Sequence, residues 1–164
     1  MTKNIFFTLS FLFLCMGNIQ SQEISKHTIG LRLSEANGFW AEASYQNALS
    51  SKTRIEVGLG AQGKRSYNAL KLTGMYQWVF NINGGLNWYI GPGIGGGLVD
   101  FDSDIIRDDD LTTFGFVTGD VGIEYHFDFP LLISLDFRPE IYFDSYTNDD
   151  IIFNFGLSAR YKFD

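Results

Sequence analysis

The sequence predicts an all-β fold, an eight-stranded antiparallel up-and-down transmembrane β-barrel, and three observations carry that reading. Apolar residues recur at every second position along eight segments, the period of a strand with one buried and one contrasting face. The longest runs reach the roughly 9–11 residues that a tilted strand needs to cross hydrocarbon. The composition agrees: 18 Gly, 16 Phe, 8 Tyr and 3 Trp against 3 Pro in 164 residues favour strands joined by tight turns. That length suits one domain. The net charge of −7 argues against nucleic acid as a partner, and a single Cys excludes an intrachain disulfide framework.

The chain opens on a segment unlike the rest. Lys3 gives a positive start, Ile5 to Met16 are apolar but too few to span a bilayer as a helix, and residues 17–22 turn polar. Residues 1–22 therefore read as an export signal cut after Ser21 or Gln22, and 23–164 as the barrel domain. Phe13 and Leu14 are bulky where a lipidation site needs small residues, so Cys15 is lost with the signal.

The strands follow in order. Ile29, Leu31 and Leu33 alternate with Gly30, Arg32 and Ser34. Phe39, Ala41, Ala43 and Tyr45 alternate with Trp40, Glu42, Ser44 and Gln46. Ile55, Val57 and Leu59 alternate with Arg54, Glu56, Gly58 and Gly60. Residues 72–99 carry no charge, yet eight glycines, Pro92 and three Asn exclude a membrane helix there. Leu70, Leu72, Tyr76, Trp78 and Phe80 share one parity, Asn83-Gly84 signals a hairpin, and Leu86, Trp88 and Ile90 resume the alternation. Val117, Val121, Ile123, Tyr125 and Phe127 make the sixth strand, and Leu131 to Ile141 the seventh. The eighth, Ile151 to Phe163, is the cleanest. An even count puts both barrel termini on one side, with short connections near 47–51, 81–84 and 128–130. Connections near 35–38, 62–67, 100–112 and 144–150 share the other side.

Charge sorts along this frame. The inward parity holds Arg32, Arg54, Lys71, Arg138, Arg160 and Lys162 against Glu42, Glu56, Asp120, Glu124, Asp136 and Glu140. The connections at 100–112 and 144–150 hold nine Asp against Arg107 alone. A balanced interior predicts a lumen filled by paired charges, since an isolated buried ion costs several kcal/mol. Glu124, Asp136, Arg138, Glu140 and Arg160, on consecutive strands, are candidates for part of that network. A secreted lipocalin-like barrel would reverse the two faces. Tyr76, Trp78, Trp88, Tyr89, Tyr125, Tyr161 and Phe163 near strand ends favour the membrane instead, as interfacial girdles do.

With these residues in place the chain resembles the small bacterial outer-membrane β-barrels, the OmpA/OmpX-like porin-type families. Asn154-Phe-Gly156-Leu-Ser-Ala159-Arg-Tyr161, with Phe163 beyond, is similar to the terminal signal read by the barrel assembly machinery. Asp164 departs from barrels that end on an aromatic. Residues 87–97, Gly122-Ile-Glu-Tyr125 and Leu135-Asp-Phe-Arg-Pro-Glu140 resemble barrels of Bacteroidetes-type bacteria. The resemblance implies a protein of the cell outer membrane, with membrane lipid and the assembly machinery as partners. It does not imply an activity, because this fold hosts structural proteins, adhesins, pores and lipid enzymes.

Candidate sites are few. The glycines at 91–97 lack a following Lys-Ser/Thr and sit in a strand, so they make room for neighbours and hold no phosphate. Asp100, Asp102 and Asp104 have a calcium-loop spacing, but Ile105 and Leu111 replace its Gly and Glu and exclude an EF-hand. A solvated acidic loop, with a loose surface divalent-cation site as the alternative, is the reading there. His126 with Glu124 and Ser134 or Ser158 has no spacing that selects a nucleophile–base set. The expectation is a non-enzymatic barrel without cofactor, in a structural or surface-interaction role. A narrow pore and a barrel-embedded lipid-modifying enzyme are the alternatives.

Overall fold

The computed structural model describes residues 24–64, 67–101, 112–143 and 151–163. The expected signal, Asp102, Asp104, Asp164 and most of the two acidic connections lie outside the described residues. Eight strands form: β1 His27–Glu35, β2 Phe39–Ala48, β3 Thr53–Lys64, β4 Tyr67–Asn83, β5 Leu86–Phe101, β6 Thr112–His126, β7 Leu131–Tyr142 and β8 Ile151–Phe163. Each pairs antiparallel with the next, and β1 closes on β8. Closure leaves no strand edge, so the backbone is satisfied without water.

Period-two patterning sets the register. Along β8, Ile151, Phe153, Phe155, Leu157 and Tyr161 face out, while Ile152, Asn154, Ser158 and Arg160 are buried. Leu33 pairs with Leu157, Leu157 with Leu135, Leu135 with Ile123 and Ile123 with Trp88, giving one apolar row around the outside. A slip by one residue would turn a strand's charges outward. The largest fully buried side chains include Arg32, Arg138, Arg160 and Lys71, whereas Leu31, Leu59, Leu72 and Phe155 are more than half exposed. This inversion is costly in water on both counts and fits a barrel surrounded by hydrocarbon. No described helix is long and apolar enough to cross a membrane. That absence leaves strands as the elements to which an apolar outer face belongs.

The structure departs from the sequence reading in three places. β4 and β5 run 17 and 16 residues, beyond the 70–80 and 86–99 segments, because Tyr67 pairs with Phe101 and Asn68 with Asp100. The polar Asn68 and Asp100 blur the apolar alternation there, while the ladder continues. The hairpin turn is Gly84-Gly85, one residue later than Asn83-Gly84, with Gly84 at φ 53°. Asn81 holds it, donating from Nδ2 to the Gly84 carbonyl at 2.8 Å, beside a register shift between Asn81 and Asn83. Third, Tyr89 does not belong to the aromatic girdle. It neighbours the outward Trp88 and so points inward, fully buried, with the Arg54 guanidinium 4.8 Å from its ring centroid. Outward aromatics do meet at the short-turn end, Phe80 on Trp88 at 4.6 Å and Tyr125 on Phe127 at 4.8 Å, while Phe137 packs on Phe155 at 4.8 Å near the middle of the β7–β8 ladder.

A closed ladder with no free edge resists detergent at room temperature. Unboiled protein is expected to migrate differently from boiled protein in electrophoresis. Identical migration, with recovery in a soluble fraction, would favour the lipocalin-like alternative.

Candidate functional site, a charged lumen

Inward positions of all eight strands converge on a polar interior. Near the short-turn end, Arg54 reaches Glu124 at 2.7 Å, and His126 Nε2 lies 2.9 Å from the same carboxylate. Arg54 also donates to the Gln77 carbonyl at 2.6 Å, and Gln77 donates to Asp120. At mid-lumen Glu56 accepts from Arg138 and Arg160, both at 2.9 Å, from Gln46 at 2.7 Å, Ser44 at 3.1 Å and Gln77 at 3.2 Å. Arg138 is the complementary centre: besides Glu56 it lies 3.4 Å from each of Glu42, Asp120 and Asp136. Toward the loop end, Arg32 pairs with Asp136 and donates to the Asn154 carbonyl at 3.0 Å. Asn154 donates to Glu140 at 2.8 Å, as do Lys71 at 2.9 Å and the Tyr142 hydroxyl at 2.7 Å.

One polar network therefore runs from His126 to Tyr142. Its links include guanidiniums and amides, which hold their protons at every accessible pH, so it is poorly suited to proton relay. It is well suited to fixing eight strands around one centre, because each charge has compensating partners in a low-dielectric space. Apolar clusters cap it. Ala36, Trp40, Ala69 and Ile152 are buried at the loop end with Tyr67, Val99 and Tyr142 against them. Lys71 lies 4.7 Å from the Trp40 ring and 5.7 Å from that of Phe116 beneath this cap. Ile24, Val79 and Tyr89, with Ala48, close the short-turn end.

Glycines create the room. A side chain at Gly93 would meet the Met75 sulfur and one at Gly95 the Phe116 ring, so the glycine-rich strand is lined by its neighbours' side chains. Gly156 lies under Arg32, where a Cβ would come within 2.5 Å of the guanidinium.

Glu124, Asp136, Arg138, Glu140 and Arg160 all line this lumen and are buried. Their partners are mostly not each other. Arg32 of β1 meets Asp136 of β7, Arg54 of β3 meets Glu124 of β6, and Lys71 of β4 meets Glu140 of β7. Adjacency of strands is a poor guide because inward side chains this long reach across the barrel. Glu56, one of the expected inward charges, proves to be a centre of the network, and Gln77 joins it as an uncharged inward residue that charge counting does not find. Lys162, assigned inward, is only half-buried and donates to the Phe127 carbonyl at 2.6 Å. It sits at the strand end, where its stem reaches the rim. Of the terminal motif, Asn154 and Gly156 face inward, while Ala159, Tyr161 and Phe163 are exposed on the outer face. Asp100 is exposed opposite Asn68. Ser134 Oγ accepts from Arg160 at 2.8 Å, and Ser158 Oγ has no hydrogen-bond partner among the described residues. His27 Nδ1 lies 2.8 Å from the Tyr45 hydroxyl. Among the described residues, no three His, Cys, Asp or Glu side chains are grouped to hold a metal ion.

No protein-family model and no curated protein matches the chain. Solved structures do. The N-terminal β-barrel domain of Pseudomonas aeruginosa OprF matches with TM-score 0.68 at 14% identity, covering 87% of this chain and 100% of that one. Neisserial surface protein A (NspA) matches at 0.64 and 12% identity, covering 84% and 94%. Ail, the attachment invasion locus protein of Yersinia pestis, matches at 0.58 and 16% identity, covering 85% and 97%. The fold is that of the small eight-stranded outer-membrane β-barrels.

Proposed function

We propose that the chain is a non-enzymatic barrel of the Gram-negative cell outer membrane, a solid scaffold with a structural or surface-interaction role. The carrying observation is the lumen, filled from mouth to mouth by compensated charges and capped by Trp40 and Ile152 on one side and Ile24 and Val79 on the other. The short-turn end faces the periplasm and the acidic connections face outward, the usual asymmetry of such barrels. On this reading Asn154, Gly156, Ala159, Tyr161 and Phe163 present the last strand to the assembly machinery. The Bacteroidetes-type resemblance rests on the sequence stretches alone.

The pore alternative is tested in planar bilayers: the purified barrel is expected to give no stepwise conductance. Defined openings would replace the scaffold with a channel. The lipid-enzyme alternative predicts altered lipid A on overexpression, and unchanged lipid A is the expected result.

The surface role centres on the outer connections. Aspartates at 100, 102, 104, 108, 109 and 110, relieved only by Arg107, repel one another, and millimolar Ca²⁺ bridges or screens such carboxylates. Ca²⁺ is expected to protect residues 100–112 from protease, and Asp102→Asn/Asp104→Asn/Asp109→Asn to abolish that protection. Cleavage insensitive to Ca²⁺ in the parent leaves a plain solvated loop. Ail has been solved with the heparin analogue sucrose octasulfate. The excess of aspartate here disfavours a comparable polyanion and favours cations bridging the surface to anionic lipid headgroups.

A further inference from the structure

The two caps are built differently. At the loop mouth, Trp40, Ala69 and Ile152 belong to β2, β4 and β8, and Ala36 sits in the three-residue turn that joins β1 to β2, so every member of this cap is held between paired strands. At the short-turn mouth Ile24 precedes β1 and belongs to no ladder, yet it is 92% buried by its 8% relative exposure, against Val79, Tyr89 and Ala48. The strap 24–26 is tied to β2 where the Ala48 amide donates to the Lys26 carbonyl at 2.9 Å. Beside this tie a cleft of about 460 Å³ is lined by the strap and by Ala48, Leu49, Ser50 and Ser51 at the end of β2 and in the following turn. Behind Ile24 stands Tyr89, and behind that ring Arg54, the first member of the charged network.

We propose that residues Ile24–Lys26 form a movable inner stopper, and that Ile24 keeps water and small cations from entering the charged lumen through the short-turn mouth. An apolar side chain is seated there by burial against Val79 and Tyr89, and the adjoining cleft gives the strap space to swing aside. Withdrawal would wet the Arg54–Glu124 pair and the inward Thr28, which is 2% exposed and donates to Gln46 at 2.9 Å. The inference rests on the membrane-barrel reading and adds the element that closes the scaffold.

The sequence contains one Cys, Cys15, inside the expected signal, so a Thr28→Cys variant of residues 23–164 carries a single thiol. The refolded protein in lipid vesicles would be treated with a small cationic methanethiosulfonate, alone and combined with Ile24→Asp, Ile24→Ser or deletion of 23–25. The Thr28→Cys parent is expected to react slowly, and each strap variant at least about tenfold faster, as release of a local opening constraint requires. A separate Trp40→Ala background, altered at the far mouth, is expected to leave the rate low. Electrophoresis without boiling reports whether each variant has closed its barrel. Loss of the band shift in the parent would defeat the barrel reading itself, whereas a retained shift with unchanged labelling in the strap variants overturns the stopper alone. Fast labelling in the parent, or in Trp40→Ala but no strap variant, overturns it equally. Should Ile24→Asp not fold, Ile24→Ser and the deletion carry the same decision.

Discussion

Arg138→Ala is expected to lower the unfolding free energy of the refolded barrel by about 3–5 kcal/mol, the cost of stranding buried charge. Arg138 is 2% exposed and faces four carboxylates, Glu42, Glu56, Asp120 and Asp136, at 2.9–3.4 Å. Its removal leaves Asp120 and Glu42 without an ion-pair partner among the described residues, while Glu56 keeps Arg160 and Asp136 keeps Arg32. Arg138→Lys keeps the charge but replaces a planar fork by a point donor that cannot span the four acceptors, so it is expected to recover only part of the loss. Arg138→Met restores volume without charge and separates packing from electrostatics. Urea titration in vesicles, read by the unboiled band, measures each. An Asp120→Asn change is expected to be less costly in the Arg138→Met background than in the parent, and that non-additivity identifies a direct coupling. An unchanged midpoint for Arg138→Ala would mean that water already reaches this centre.

How much of this was legible in the sequence follows from what each feature depends on. Strand order, inward parity and the even strand count depend on period two, which survives in residues such as Ile151 to Phe163 without any tertiary knowledge. The extra length of β4 and β5 depends on the partner strand, since Asn68 is held by Asp100 in register and carries no apolar signal of its own. Tyr89 was misassigned by composition where parity was decisive: next to an outward Trp88, it had to point in. The network members were readable as inward charges, but their pairing was not. Which carboxylate Arg32 meets depends on side-chain reach across a closed lumen, and its partner Asp136 lies 104 residues away. Ile24 carried no signal at all, because a single apolar residue ahead of a strand has no period.

Leu157→Arg is expected to destabilise the barrel by about 2–4 kcal/mol if residue 157 lies at the bilayer midplane. Leu157 stands halfway along β8, 51% exposed, between Leu33 and Leu135 in the outward apolar row. In hydrocarbon an arginine there is far from either interface, and its stem must bend to bring the guanidinium toward the headgroups. Phe163→Arg on the same face, at the strand end where His27 stacks at 5.6 Å, provides the depth control and should cost about 0–1 kcal/mol. Both substitutions keep the lumen intact, since Ser158 and Arg160 occupy the opposite parity. The ratio of the two losses therefore reports the surrounding medium and not the fold. A water-soluble barrel of identical topology would accept arginine at 157 as readily as at 163, because both side chains would then be hydrated. Urea midpoints in vesicles of two acyl lengths sharpen the comparison: a thicker bilayer should deepen the Leu157→Arg loss and leave Phe163→Arg little changed. Equal losses at the two positions would remove hydrocarbon from the outer face and return the chain to a soluble environment.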